Sequence, residues 1–233
     1  MPSVSSCALS VVLAAVGYIY YLCITSPNRA TSPYQTDRIR FLTSQFTAAL
    51  SNIVTITLFY QAVVTLFYDN IDRDAMNWIC RQPNHLRDER FSWNERTVGC
   101  LVIFTIGAWI RLSAYGRLGR NFTFALAVPD HLVTSGLYRF MQHPSYTGLI
   151  LVIAGCLGLV VGQWDTALAC WIPVSVLGML QQWQTWLNII GMLFGLVIMR
   201  IRVRDEERML KGEFGREWED WHSRTARFIP TIF

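Results

Sequence analysis

Charged residues are absent from long stretches of this chain, and that pattern sets the first expectations. Residues 4–24 are uncharged and apolar, long enough at about 1.5 Å per residue to cross a hydrocarbon core of roughly 30 Å. Residues 46–68 form a second such run, and 97–115 a third, interrupted only by Arg111, which is expected to snorkel toward an interface. Three further apolar pieces follow: 147–162, 167–180 and 186–201, broken at Gln163-Trp164-Asp165 and at Gln181-Gln182-Trp183-Gln184. The middle piece is short for a crossing and is expected to be re-entrant or packed among the others.

Between these runs lie polar connections at 25–45, with Pro27, Pro33, Arg29, Arg38 and Arg40, and at 69–96, where charges of both signs mark an extramembrane loop. Residues 116–143 are rich in Gly, Pro and Arg. Irregular backbone of that kind sits at membrane depth only where it lines a cavity. Arginines cluster after the first run, after the third (Arg117, Arg120, Arg139) and after residue 200 (Arg202, Arg204, Lys211). The positive-inside rule places all three on the cytosolic side, which requires an even number of crossings between 147 and 201. The expected fold is all-α integral membrane, with about five transmembrane helices drawn from five to six apolar segments. It divides into N-terminal helices and loops over 1–115 and a C-terminal region over 116–233.

Composition agrees with lipid as the solvent. Of 233 residues, 52% are hydrophobic and 15% charged, where soluble domains carry about a quarter. The net charge of +4 is spread over the ends of apolar runs, without the aromatic-lined basic groove that a nucleic acid would need. No nucleic-acid partner is expected. The six cysteines lack metal-ligand spacing and read as small buried hydrophobes, so no metal is expected. The first run has no basic leader before it and reads as a retained span, and Thr231-Ile232-Phe233 carries no prenylation box.

Three constellations carry candidate chemistry. In the first, His131-Leu132-Val133-Thr134-Ser135-Gly136-Leu137-Tyr138 is followed by His143-Pro144-Ser145-Tyr146. Pro144 pushes His143 out of the α region, so a helix should open there, with free backbone N–H groups suited to an anionic group. An ordinary interfacial loop with belt aromatics is the alternative. In the second, Arg202 and Glu206 stand four apart on a helix continuing the last apolar run, where they could clamp a ligand or form a solvated helix end. In the third, Phe214, Trp218 and Trp221 recur at helical spacing, as in an amphipathic helix that lies on the membrane or closes over a pocket.

In this order, Leu118-Gly119-Arg120-Asn121-Phe122, Leu132 to Tyr138, His143 to Gly148, the Arg202 to Leu210 element and the Phe214 to Thr225 segment resemble the isoprenylcysteine carboxyl methyltransferase family. The resemblance implies an enzyme of the endoplasmic reticulum membrane. It moves a methyl group from S-adenosylmethionine to the C-terminal carboxylate of a prenylated cysteine on a CaaX-processed protein, with its pocket facing the cytosol. It further implies that His131, Leu132, Val133, Tyr138, His143, Pro144, Ser145, Tyr146 and Glu206 line the cofactor. Arg202 would face the acceptor and, with Glu206, form the catalytic pair. Membrane lipid is then the surrounding partner. The chain departs from the family at Gln142, where arginine is usual, and in extra residues around 173–186 that could reshape the lipid channel. The alternatives are a methyltransferase for another lipophilic acceptor, such as a small carboxylate or a phospholipid amine, and a non-catalytic membrane relative.

Overall fold

A computed structural model describes residues 2–28, 38–39, 45–68, 73–162 and 164–230. Arg29, Pro33, Arg40, Asp69, Gln163 and the last three residues lie outside them. Seven α-helices are present among the described residues: α1 Val4–Ile24, α2 Gln45–Phe67, α3 Arg73–Ile79, α4 Glu95–Leu118, α5 Pro144–Val160, α6 Val174–Phe214 and α7 Arg216–His222. Four of them are long and apolar enough to cross a membrane, and α5 is a shorter apolar helix. The chain is an all-α integral membrane protein.

Local chemistry sets the helix ends. The Ser3 hydroxyl accepts the Ser6 N–H at 3.0 Å and Asn94 Oδ1 accepts the Thr97 N–H at 2.9 Å, so α1 and α4 begin on side-chain caps. Pro144 stands first in α5, where its missing N–H costs nothing. The break expected at residues 181–184 does not occur: α6 runs unbroken through Gln181, Gln182 and Gln184. Glutamine is a good helix former, and no proline falls inside the helix. The piece expected at 167–180 is instead divided. Ala167–Trp171 form a 3₁₀ turn, and after Pro173 the rest opens α6, which at 41 residues measures roughly 60 Å, about twice the hydrocarbon core. The helix is therefore long enough for its charged C-terminal part to lie outside a hydrocarbon core that its apolar part crosses.

The chain forms two compact units. The first comprises residues 1–21, 51–105 and 152–190, and the second residues 22–50, 106–151 and 191–233. In the first, Val64, Met76, Leu86, Phe91, Ala167, Ala169 and Leu177 make a core around Cys80 and Cys170, which form a disulfide. This corrects the reading of all six cysteines as plain hydrophobes. The two are 90 residues apart, one in the charged loop and one in the 3₁₀ turn, so no sequence spacing announces the pair.

Asp165, 2% exposed, accepts the Arg90 guanidinium in bidentate fashion at 2.8 and 2.8 Å. Gln61 ties the same region together, its amide donating to the Arg90 carbonyl and its oxygen accepting the Ala167 N–H. The glycines of α5 permit close helix contact here: a Cβ on Gly155 would stand 2.7 Å from the Phe104 Cβ.

The disulfide carries a prediction. Six cysteines are present and two of them form this disulfide, so unfolding without reductant should expose four thiols to a maleimide reagent, and reduction should raise that to six. Cys80→Ser should destabilise the protein by about 4 kcal/mol, the scale of a cross-link closing a loop this long. Six reactive thiols before reduction would contradict the pairing.

Candidate functional site

The second unit gathers most of the polar candidates around the start of α5. His143 precedes the helix, and its carbonyl accepts the N–H groups of Tyr146 and Thr147. The His143 side chain is 2% exposed, with its Nδ1 3.9 Å from Glu206 Oε1 and its Nε2 3.6 Å from Glu207 Oε1. Neither ring nitrogen makes a hydrogen bond. A buried polar group usually finds a partner, and the nearest partners of this imidazole are the two carboxylates.

Tyr146, one residue after Ser145 on the same turn, donates its hydroxyl to Glu206 Oε2 at 2.6 Å and accepts from Arg202 Nε at 3.1 Å. Arg202 also donates to the Phe124 carbonyl. The helical spacing of Arg202 and Glu206 thus places both on one tyrosine hydroxyl, in a chain Arg202–Tyr146–Glu206. Glu207 turns to the other side and pairs with Arg227 at 2.8 and 3.2 Å.

The remaining predicted residues divide. Leu132 and Val133 are partly buried against a cluster of Ala114, Tyr138, Trp218 and Trp221, and the Tyr138 carbonyl accepts the Trp221 indole N–H at 2.9 Å. Burial beside the Glu206 carboxylate pushes the Tyr138 hydroxyl well above the ordinary tyrosine value, so it is a neutral donor. Pro144 is fully buried. Ser145 is 8% exposed and faces Arg111, its carbonyl and hydroxyl oxygens each accepting from Nη1 at 2.9 Å. His131 is exposed and joins none of these contacts.

Arg111 corrects the snorkelling expectation: it is 4% exposed. A Cβ on Gly148 would stand 2.7 Å from the Arg111 backbone N, so α4 and α5 approach here too closely for the side chain to swing out. Phe214, Trp218 and Trp221 resolve the third constellation. Gly215, at φ +52°, turns the chain after α6, and the tryptophans of α7 bury into the cluster instead of anchoring in lipid.

Sequence reasoning noted Gln142 only as a departure, yet it holds the C-terminal segment in place. It is 4% exposed, donating to the Thr225 carbonyl at 2.7 Å and the His222 carbonyl at 3.2 Å, while its oxygen lies 2.8 Å from His222 Nδ1. The backbone N–H groups of Gln142 and His143 donate to the carbonyls of Ala226 and Arg227. Glu207, Thr225 and Arg227 were likewise missed, because they lie 60 or more residues along the chain from the turn they serve.

Burial holds His222 below the ordinary histidine value of 6.5, against the pull of Glu207, so it is neutral at pH 7. The neutral form is the one the fold favours. Its contribution is therefore intact above pH 6.5 and is lost as pH falls from there through the lowered value. The melting temperature of the wild type is expected to fall more than that of His222→Gln over that interval. Parallel curves would contradict the assignment.

The fold and this site define a polyhelical membrane protein whose polar centre stands at the start of a short apolar helix, beneath a buried aromatic cluster. Residues 99–182 match the model of the isoprenylcysteine carboxyl methyltransferase family, and the resemblance read from the motifs is borne out. The "Probable protein-S-isoprenylcysteine O-methyltransferase" of Oryza sativa subsp. japonica is 29% identical over 147 residues, 60% of this chain and 63% of the relative. Protein-S-isoprenylcysteine O-methyltransferase B of Arabidopsis thaliana is 27% identical over 139 residues, 57% and 58% of the two chains. That of Dictyostelium discoideum is 27% identical over 135 residues, 56% and 48%. The chain thus spans under two thirds of the length of these relatives. The family match includes Arg111 and His131 to Tyr146 but ends before Arg202 and Glu206.

Proposed function

We propose that this protein is an S-adenosylmethionine-dependent methyltransferase acting on the C-terminal carboxylate of a prenylated cysteine. The observation that carries the reading is the Arg202–Tyr146–Glu206 chain set against the unbonded, buried His143 ring. The residues fit the cofactor. The His143 ring nitrogens and the Trp218 indole N–H are buried without a hydrogen bond and could serve a polar ligand, and Glu206 offers negative charge to a sulfonium. His143, Tyr146, Tyr138 and Glu206 would hold the cofactor, with Leu132, Val133, Pro144 and Ser145 shaping the wall. When bound, S-adenosylmethionine supplies an electrophilic methyl group.

The chain itself has little bond chemistry to perform, since a carboxylate is already ionised near pH 7. Its task is to align an oxygen with the methyl carbon at about 3 Å in a dry site. Arg202 suits the acceptor carboxylate, because a planar guanidinium grips two oxygens at once. The Tyr146 hydroxyl, held between Arg202 and Glu206, fixes that guanidinium in one orientation.

This reading places the catalytic region in 116–233, with the protein in the endoplasmic reticulum membrane and the site facing the cytosol. Two observations support that orientation. The arginine-rich segments favour the cytosolic side, and the Cys80–Cys170 disulfide calls for an oxidising compartment on the other. Prenylated proteins would be the partners, their lipid entering from the bilayer. Purified protein incubated with methyl-labelled cofactor and a farnesylated cysteine analogue should yield a base-labile methyl ester. A base-stable methylated lipid, or no product with cofactor bound, would overturn the acceptor.

A further inference from the structure

Arg111 is a buried guanidinium in an apolar helix. Among the described residues no carboxylate lies within ion-pair distance of it. Its hydrogen bonds run to uncharged oxygens: Nε to the Cys23 carbonyl at 2.6 Å, and Nη1 to the carbonyl and hydroxyl of Ser145 at 2.9 Å. The Tyr115 and Phe124 rings lie 5.1 and 5.5 Å from its central carbon, and the Tyr115 hydroxyl donates to the same Cys23 carbonyl. Those bonds use Nε and Nη1, the Tyr115 hydroxyl also interacts with the guanidinium, and every one of these partners is uncharged.

Other arginines of this unit are answered differently. Arg38 is bidentate on Asp205, and Arg227 pairs with Glu207. Among the described residues, carbonyl dipoles, hydroxyls and ring faces are what answer the desolvation of this buried cation. An ionisable residue kept at this depth marks a functional site. Its surroundings are also positive, because Ser145 belongs to the first turn of α5, where the helix dipole favours negative charge. Arg202 stands on the next residue, Tyr146, and on the backbone of Phe124, whose ring faces Arg111.

We propose that Arg111 and the first turn of α5 form a carboxylate subsite, separate from the one assigned to Arg202, which makes Arg111 a specificity-determining residue. The inference rests on the proposed methyl transfer for the identity of the ligand but not for the existence of the subsite. Two carboxylates are available in that reaction: the amino-acid carboxylate of the cofactor and the carboxylate of the acceptor.

The test compares affinities within two pairs of probes on the intact protein. One pair is S-adenosylhomocysteine and its decarboxylated analogue, and the other is N-acetyl-S-farnesylcysteine and its carboxamide. The wild type should prefer the carboxylate in at least one pair by about tenfold or more, the scale of a charge-assisted hydrogen bond. In Arg111→Gln that preference should fall below about threefold in one pair, and the pair affected names the source. Arg111→Lys keeps the charge but cannot span Cys23, Ser145 and a ligand together, so its preference should fall too, and this variant serves if Arg111→Gln does not fold. A brace that merely joins helices would change melting and leave both ratios alone. Unchanged ratios in a folded variant, or no carboxylate preference in the wild type, would overturn the subsite. A collapsed ratio without methyl-ester formation by the wild type would overturn the proposed reaction and leave the subsite standing.

Discussion

Arg202→Ala is expected to lower kcat/KM for the prenylcysteine acceptor by about 100-fold or more, the cost of misplacing a reacting group by about 1 Å. Cofactor affinity should change by less than about threefold, because the contacts of His143 and Glu206 do not pass through Arg202. The expectation follows from geometry: Arg202 donates to Tyr146 at 3.1 Å, and Tyr146 donates to Glu206 at 2.6 Å. Removing the guanidinium takes away the acceptor's partner yet leaves the Tyr146–Glu206 hydrogen bond. Arg202→Lys should recover little, since an ammonium cannot grip two oxygens in one plane. Tyr146→Phe should give an intermediate loss, felt mainly in kcat. Steady-state kinetics with calorimetry on the same preparations decides this; full activity of Arg202→Ala would remove it from the acceptor site.

Asp165→Ala is expected to destabilise the protein on the same scale as loss of the disulfide. The carboxylate is 2% exposed and holds Arg90, itself 7% exposed, through two hydrogen bonds. Deleting one partner strands the other charge in the first unit, at a cost of about 3–5 kcal/mol. For a chain of this size that corresponds to a fall in melting temperature on the order of 10 °C. Replacing both, Arg90→Met with Asp165→Leu, should recover most of the loss, because no charge then lies buried. Cofactor affinity at room temperature should be unchanged in the double variant. A melting temperature for Asp165→Ala within about 2 °C of wild type would show the pair to be solvated.

Much of the scaffold was legible because lipid writes a simple code. The apolar runs at 4–24, 46–68 and 97–115 became α1, α2 and α4 with ends shifted by at most three residues, and Pro144 marked the start of α5. The reading failed where a polar interruption was taken for a break. Gln181, Gln182 and Gln184 remain inside α6, which no proline or close packing stops.

At the site, Arg202 and Glu206 could be placed together because four residues make one helical turn. Their meeting on Tyr146, 56 and 60 residues away, could not be read from spacing. Cys80 and Cys170 were hidden for the same reason. Arg111 did carry a visible signal, a charge inside an apolar run, but its proximity to the C-terminal end of that run favoured snorkelling. The close approach of α4 and α5 at Gly148 decided otherwise.

The central claim is that the turn at His143 and the charged end of α6 make one cofactor pocket. Calorimetric titration of the purified protein with S-adenosylhomocysteine tests it most directly, using wild type, His143→Leu and Glu206→Ala. The expected result is a single saturable site in the wild type, weakened about tenfold or more in each variant, the loss of a buried charged or polar contact, while melting stays within a few degrees. No heat of binding in the wild type, or undiminished affinity in both variants, would contradict it.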